Sequence, residues 1–298
     1  MITGKADCGM QYAVKRSGSS VAYCALSIKC GTRDEEGFHS GIAHFVEHTI
    51  FKGTERRSAA VINGYLDRLG GELNAFTTKE EIVLHATVLK EDMAKAAALL
   101  FELATCPTFP DQELNTEKGV VIDEIQSYKD SPSEDIYDKF EEMLFKGHPL
   151  SGNILGGPAN NSILNSVLRE KNGWVYGVEC SYTQYSDTGI VAISLGCDKG
   201  NLEKCVKAIH KEIGKLQEET LSDRKLKAAK KQLLGQMAIS GDNGETQCLS
   251  MGKGLLAYGK LNTGKETRQM VEGITAEDIR EMARTIFAPS NLSKLTYI

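Results

Sequence analysis

The residues with the clearest chemical potential are two histidines and a glutamate in the run His44-Phe45-Val46-Glu47-His48. Apolar residues from Ile42 to Phe51 have helical spacing, and on a helix positions i, i+3 and i+4 share one face. Both imidazoles and the carboxylate therefore point the same way. Two histidines at i and i+4 can bind one zinc ion, and Glu47 would be close enough to take a proton from water at the metal. The alternative is a surface helix end that carries two histidines by chance.

A zinc site with two histidines needs a third protein ligand, usually a carboxylate. The sequence places Glu124 among apolar residues of a helix predicted over 110–128, where a carboxylate needs a partner. Glu117 lies seven residues earlier on the same face. A metal bound by one carboxylate, with the second nearby, would explain both residues. The alternative is a solvated acidic stripe that also includes Glu113.

The elements that must position these residues alternate between strands and helices. The predicted strands are a hairpin of residues 10–16 and 20–29, then 72–77, 81–89, 175–182, 189–197 and 292–298. The predicted helices are 42–51, 58–69, 91–104, 110–128, 132–147, 162–170, 202–216, 221–239, 247–258 and 275–287. A strand followed by two helices occurs in both halves of the chain, which favours two related halves.

The linker-like stretch 151–158 divides the chain, and we predict domains at residues 1–150 and 151–298. The fold class is α+β, in which each domain is a mostly antiparallel sheet packed against helices. The second domain is predicted to be incomplete, because it lacks a counterpart of the hairpin that precedes the first helix.

Composition excludes several classes of protein. The chain has 298 residues and a net charge of −5, which argues against a protein that coats nucleic acid. No apolar run reaches the length of about 18 residues that a membrane span needs, and the first residues do not resemble a secretory signal. The eight cysteines form no C-x-x-C pair. This pattern is typical of reduced thiols, so we expect a cytoplasmic protein.

The motif His44-x-x-Glu47-His48 followed by Glu124 resembles the pitrilysin-type zinc peptidases, inverted zincins that include insulysin and the mitochondrial processing peptidase. In that family a distant glutamate completes the metal site and another precedes it by two helical turns. Glu124 and Glu117 stand at these positions. The flanking runs Gly41-Ile42-Ala43 and Phe51-Lys52-Gly53-Thr54 extend the match.

Two further segments resemble the substrate-binding parts of this family. Leu73-Asn74-Ala75-Phe76-Thr77 resembles the strand that pairs with the substrate backbone. Residues 168–173 and Tyr176-Gly177 resemble the segment whose Arg and Tyr bind and orient substrate, which implies such roles for Arg169 and Tyr176. Family members consist of two similar domains around a closed chamber. Here residues 147–150 and 155–160 are family-like, but a long segment expected between them is absent.

The resemblance and the motif together predict a zinc-dependent endopeptidase that hydrolyses short or unfolded peptides. One Zn²⁺ per chain would be held by His44, His48 and Glu124, with Glu47 as the general base. The residues predicted to assist catalysis are Glu117, Arg169 and Tyr176. The residues predicted to bind the peptide backbone are Asn74, Ala75, Phe76 and Thr77. The alternative is a non-catalytic or impaired peptide-binding or assembly subunit of the same family. A homodimer or a heterodimer with a related subunit is the expected partner arrangement.

Overall fold

The computed structural model describes residues 1–39, 41–129, 136 and 162–297. It divides into two compact units. Unit 1 comprises Met1–Ser127 and Gln236–Thr263, and unit 2 comprises Tyr128–Gly235 and Gly264–Ile298. Apart from Ile136, the predicted helix of residues 132–147 and the linker of residues 151–158 lie outside the described residues.

Strands and helices alternate along the described chain. The strands are β1 (Ile2–Lys5), β2 (Gln11–Val14), β3 (Val21–Ile28), β4 (Glu72–Thr77), β5 (Ile82–Leu89), β6 (Val175–Gln184) and β7 (Gly189–Cys197). The helices are α1 (Ile42–Thr49), α2 (Ala59–Asp67), α3 (Met93–Thr105), α4 (Asp111–Lys129), α5 (Leu202–Glu218), α6 (Asp223–Ser240), α7 (Gly244–Tyr258), α8 (Gly264–Gly273) and α9 (Ala276–Ile286). Short 3₁₀ turns occupy Thr32–Asp34, Lys90–Asp92, Lys199–Asn201 and Pro289–Asn291, and Asn165–Lys171 is π-helical.

The main sheet of unit 1 has the strand order β3-β5-β4, with both pairs antiparallel. The central strand β5 turns Leu84, Ala86 and Val88 toward α3, whose apolar residues recur at helical spacing. The fully buried side chains of α3 are Ala96, Leu99, Leu100 and Leu103. This core fixes the sheet, and β4 lies at its edge.

The predicted hairpin of residues 10–16 and 20–29 is wrong. β2 pairs with β1, and Gly9, at φ 90°, donates its N–H to Ala6 O (2.8 Å) in the turn between them. β3 pairs with β5 over its full length instead. In that position the side chains of Cys24 and Leu26 pack against the core, which a hairpin with the exposed β2 would not provide.

Helix α7 packs against β3 and belongs to unit 1, although the predicted boundary placed it in the second half. Two glycines of α7 permit the close approach of this helix to β3. A Cβ atom on Gly244 would lie 2.3 Å from the Tyr23 ring, and one on Gly252 would lie 2.8 Å from Ser27 Oγ. Cys248, between them, lies with its Sγ 3.6 Å from Tyr23 O.

Unit 2 contains the antiparallel pair β6-β7 and several helices. The buried residues of its hydrophobic core cluster are Leu164, Leu168, Val175, Cys180, Cys205, Ile213, Leu216, Ala283, Ile286 and Phe287. Helix α8 was not predicted from the sequence. The predicted final strand is wrong, because residues 292–297 pair with no strand in the described part of the chain.

The predicted α+β class with mostly antiparallel sheets is confirmed. The sheet of the second unit is also the smaller one among the described residues, with two strands against three in the main sheet of unit 1. No helix within the described ranges combines the length and apolar character that a membrane crossing requires.

Candidate metal centre

A carboxylate outside α1 fixes the start of this helix. Glu35 accepts hydrogen bonds from the backbone N–H groups of Gly41 and Ala43, both at 2.8 Å. These N–H groups lie at the start of the helix and have no partner in the preceding turn. The predicted helix over residues 42–51 is confirmed as α1, and its position is set by this contact and by its packing beside β4.

Three ligand atoms converge between α1 and α4. His44 Nε2 lies 3.1 Å from His48 Nε2, and Glu124 Oε2 lies 3.2 Å from His48 Nε2 and 3.9 Å from His44 Nε2. A tetrahedral zinc site with bonds of about 2.1 Å has edges of about 3.4 Å. The three separations bracket that value, and the donor set of two imidazoles and one carboxylate suits zinc. These residues therefore fit a zinc ion.

Glu117 contacts the other ring nitrogen of His48. Its Oε1 lies 3.0 Å from His48 Nδ1, and its Oε2 lies 2.5 Å from Lys52 Nζ. Burial raises the pKa of the Glu117 carboxyl, but hydrogen bonds from Lys52 and His48 outweigh burial and lower it. Glu117 is therefore an anion that can accept the Nδ1–H of His48, as carboxylates beside metal-binding histidines commonly do.

The spacing on the two helices explains these contacts. Glu124 meets His44 and His48, whereas Glu117 meets His48 and Lys52. Positions 44, 48 and 52 follow one another at intervals of four, and positions 117 and 124 are two turns apart. The two helices therefore run in opposite directions along this face.

A cleft of about 440 Å³ lies beside the ligands. Among its lining residues are Glu47, His48 and Lys52 on one side and Leu73, Asn74 and Ala75 of β4 on the other. Glu47 is half-buried and lines the cleft together with His48. Among the described strands, β4 pairs with β5 alone, so its other edge is available for hydrogen bonding.

The remaining predicted peptide-binding residues, Phe76 and Thr77, also lie on β4. The Phe76 ring packs 5.9 Å from the ring of His85 on β5. The structure thus places Asn74, Ala75, Phe76 and Thr77 on one edge strand, two of them at the cleft.

Arg169 and Tyr176 lie in unit 2, whereas the metal-ligand set lies in unit 1. Arg169 is exposed in the π-helical segment. Tyr176, on β6, is 71% exposed and donates its hydroxyl hydrogen bond to Asp198 Oδ1 at 2.5 Å. That hydrogen bond raises the pKa of the Tyr176 hydroxyl. Both side chains are accessible, and their role at the metal stays a prediction.

Two residues of the centre were not identified from the sequence. The interval of four between His48 and Lys52 is a usable signal, but the sequence gives Lys52 only as part of the helix end and of the family match. Glu35 precedes α1 in a loop without periodicity, so its contact with the helix start could not be inferred from spacing.

The chain belongs to the M16 (insulinase) family of peptidases. Residues 12–158 match the family described as Insulinase (Peptidase family M16), and residues 134–233 match the Peptidase M16 inactive domain. The predicted resemblance to pitrilysin-type peptidases is confirmed by these matches.

Named relatives and a solved structure agree with this assignment. The uncharacterized zinc protease YmxG of Bacillus subtilis is 24% identical over 363 residues, covering 87% of this chain and 89% of that protein. The mitochondrial-processing peptidase subunit beta of Mus musculus is 31% identical over 157 residues, covering 53% of this chain and 32% of that subunit. A protease from Helicobacter pylori has a similar fold, with a TM-score of 0.82 at 16% identity, over 95% of this chain and 96% of that one.

Proposed function

We propose that the protein is a zinc-dependent endopeptidase that hydrolyses short or unfolded peptides. The observation that supports this most directly is the convergence of His44, His48 and Glu124, since His48 also lines, with Glu47, a cleft bordered by an edge strand. Membership of a peptidase family and the names of the relatives support the same chemistry.

The residues of α1 and α4 have distinct tasks in this proposal. His44, His48 and Glu124 would hold one Zn²⁺ per chain, and zinc polarises a peptide carbonyl and makes water a stronger nucleophile at neutral pH. The Glu47 carboxylate takes a proton from the attacking water and passes it to the nitrogen of the leaving amine. Glu117 orients His48 through Nδ1.

The edge of β4 that pairs with no described strand suits a peptide in extended conformation. Backbone groups of Asn74, Ala75, Phe76 and Thr77 would add the substrate as a further antiparallel strand. Backbone pairing reads little side-chain sequence, so specificity is expected to be broad. A folded protein cannot offer such a strand readily, which limits substrates to short or unfolded chains.

A second candidate is an impaired or non-catalytic peptide-binding subunit. It is favoured by the match of residues 134–233 to a domain described as inactive. The relative from mouse is named as a subunit, which supports a homodimer or a heterodimer with a related chain as the partner arrangement. We also propose a cytoplasmic location, because eight scattered cysteines without a C-x-x-C pair are typical of a protein from a reducing compartment.

Metal analysis and peptide hydrolysis on the purified chain test the proposed function. We expect about one zinc per chain and cleavage of a fluorescence-quenched peptide that a chelator abolishes and added zinc restores. The variant Glu47→Gln should retain zinc and lose most activity, because an amide of nearly the same shape cannot accept the proton.

Glu91→Gln is the matched control, because it makes the same change at an exposed position of unit 1. It should behave as the parent does. Zinc binding without hydrolysis would favour the impaired subunit, and hydrolysis by Glu47→Gln at the parent rate would remove Glu47 as the general base.

A further inference from the structure

We propose that Lys52 is a positioning residue of the metal centre. Its ammonium group holds the Glu117 carboxylate so that Glu117 accepts a hydrogen bond from His48 Nδ1, which leaves His48 Nε2 as the lone-pair donor toward the metal. The part of this inference that concerns the metal rests on the proposed function.

The geometry divides the two oxygens of one carboxylate between two partners. Lys52 Nζ lies 2.5 Å from Glu117 Oε2, and His48 Nδ1 lies 3.0 Å from Glu117 Oε1. Rotation of the carboxylate about its terminal bond would disturb both contacts together. Lys52 thus restrains the plane in which Glu117 meets the imidazole.

Because the Glu117 carboxylate is buried, it needs the positive charge of Lys52 beside it. The side chain of Glu117 is only 9% exposed, and a buried carboxylate needs a compensating cation. A histidine that binds a metal must be neutral and can give Glu117 one N–H but no net charge. Lys52, whose side chain is 22% exposed, supplies that charge from the turn after α1.

The consequence is a defined tautomer of His48. The ring nitrogen that carries the proton is set by the hydrogen bond of the other nitrogen. Removal of the Lys52 charge would leave a buried anion with one neutral partner, which favours movement of Glu117 toward solvent. His48 would then lose its preference for a proton on Nδ1, and Nε2 would be available to the metal for less of the time.

The first test uses the metal-free full-length chain labelled with ¹⁵N in its histidines. Parent and variants all carry Glu124→Ala in this test, because the Glu124 carboxylate lies 3.2 Å from His48 Nε2 and would compete with Glu117 for the ring proton. Ring nitrogen shifts are measured at pH 8, and the His48 signals are identified by their loss in His48→Asn. We expect the Nδ1–H tautomer in the parent, a mixture of tautomers in Lys52→Met, and the parent pattern in Lys52→Arg, which keeps the charge. Lys95→Met is the matched control, because it removes a lysine that pairs with Asp92 on the exposed surface of α3.

The second test measures the dissociation constant for zinc by competition with a chromophoric chelator. Lys52→Met should weaken zinc binding about 10- to 100-fold, the range usual for outer partners of a metal-binding histidine. Lys95→Met should leave the constant unchanged. Circular dichroism checks folding, and Lys52→Gln replaces Lys52→Met if the latter does not fold.

Each outcome either supports or overturns the proposed role of Lys52. An unchanged tautomer in Lys52→Met, or a parent without the Nδ1–H tautomer, overturns the proposal. So does parent-like zinc affinity in a variant whose tautomer has shifted. A parent that binds no zinc contradicts the proposed function, while the tautomer in the metal-free chain still decides whether Lys52 orients His48 through Glu117.

Discussion

Glu117 and Glu124 are both glutamates on α4, yet their surroundings give them different tasks. Glu124 is one-third exposed, and its Oε2 meets the two Nε2 atoms that would bind a metal. Glu117 is buried and contacts Nδ1 of His48 and Nζ of Lys52. In the proposed function, Glu124 would therefore bind the metal and Glu117 would orient a ligand.

Glu124→Gln should lose zinc strongly, by roughly 100-fold or more in affinity, because the neutral amide replaces an anionic oxygen ligand and the effect should exceed that of an outer partner. Zinc content after dialysis and the dissociation constant by chelator competition measure this change.

Asp123→Asn is the control for Glu124→Gln, since the neighbouring carboxylate is exposed on another face of α4. It should bind zinc as the parent does. Full zinc retention by Glu124→Gln would exclude Glu124 as a ligand.

Residue spacing predicted that positions 44, 47 and 48 lie close together, because helical periodicity brings them to one face without knowledge of the rest of the fold. Spacing indicated Glu124 only together with the need of a zinc site for a third protein ligand. Nothing in the local sequence shows that α4 lies against α1. The pairing of Lys52 with Glu117 requires the relative direction of the two helices, which depends on tertiary packing.

At the scale of elements, the metal site depends on how firmly α1 is held. Glu35 accepts hydrogen bonds from two backbone N–H groups at the start of this helix. The turn that carries His44 follows directly. Hydrogen bonds from backbone N–H groups to a carboxylate at a helix start are charge-assisted, and they are strengthened by the helix dipole.

Glu35→Ala should therefore lower the free energy of unfolding by about 1–2 kcal/mol, as loss of a helix cap does. It should also weaken zinc binding modestly, because a frayed first turn carries His44. Urea denaturation of the metal-free chain measures the stability.

Glu36→Ala, at the exposed neighbouring position, is the control for Glu35→Ala. Equal stability of the two variants would mean that the contacts of Glu35 do not stabilise α1.

Element type was predictable where the local pattern is strong, and strand pairing was not. β4 lies where the sequence placed it, over Glu72–Thr77, and α1 to α4 differ from their predicted ranges mainly at the ends. The hairpin prediction failed because Ser17-Gly18-Ser19 is a turn signal on its own, whereas the choice of partner for β3 is made by burial against α3. The close fit of α7 on β3 depends on glycines whose role is visible only in the packed structure.

At the scale of the whole molecule, the alignment with the Bacillus subtilis relative spans 363 residues, which exceeds the 298 residues of this chain. The alignment must therefore contain positions that the relative fills and this chain does not. This agrees with the segment that the family motifs predict to be missing.

Unit 1 also includes residues 236–263, which come from the second half of the sequence. These residues contain α7, the helix that packs against β3.

The last prediction concerns whether unit 2 takes part in catalysis. Arg169 and Tyr176 are exposed residues of that unit, and a guanidinium and a phenol can both donate hydrogen bonds to a peptide carbonyl or its developing oxyanion. Tyr176→Phe keeps the ring and removes only the donor, so it should lower kcat/KM by roughly ten- to a thousandfold. Arg169→Ala should have an effect in the same direction, and zinc content should stay at the parent value in both.

Tyr12→Phe is the matched control, because it removes the phenolic hydroxyl of a partly exposed tyrosine of β2 in unit 1. Its kcat/KM should equal that of the parent. Tyr176→Phe also removes the hydrogen bond to Asp198, so Asp198→Ala, which removes the acceptor, separates loss of that contact from loss of a donor to substrate. If both Tyr176→Phe and Arg169→Ala hydrolyse the peptide at the parent rate, catalysis is performed by the residues of unit 1 without them.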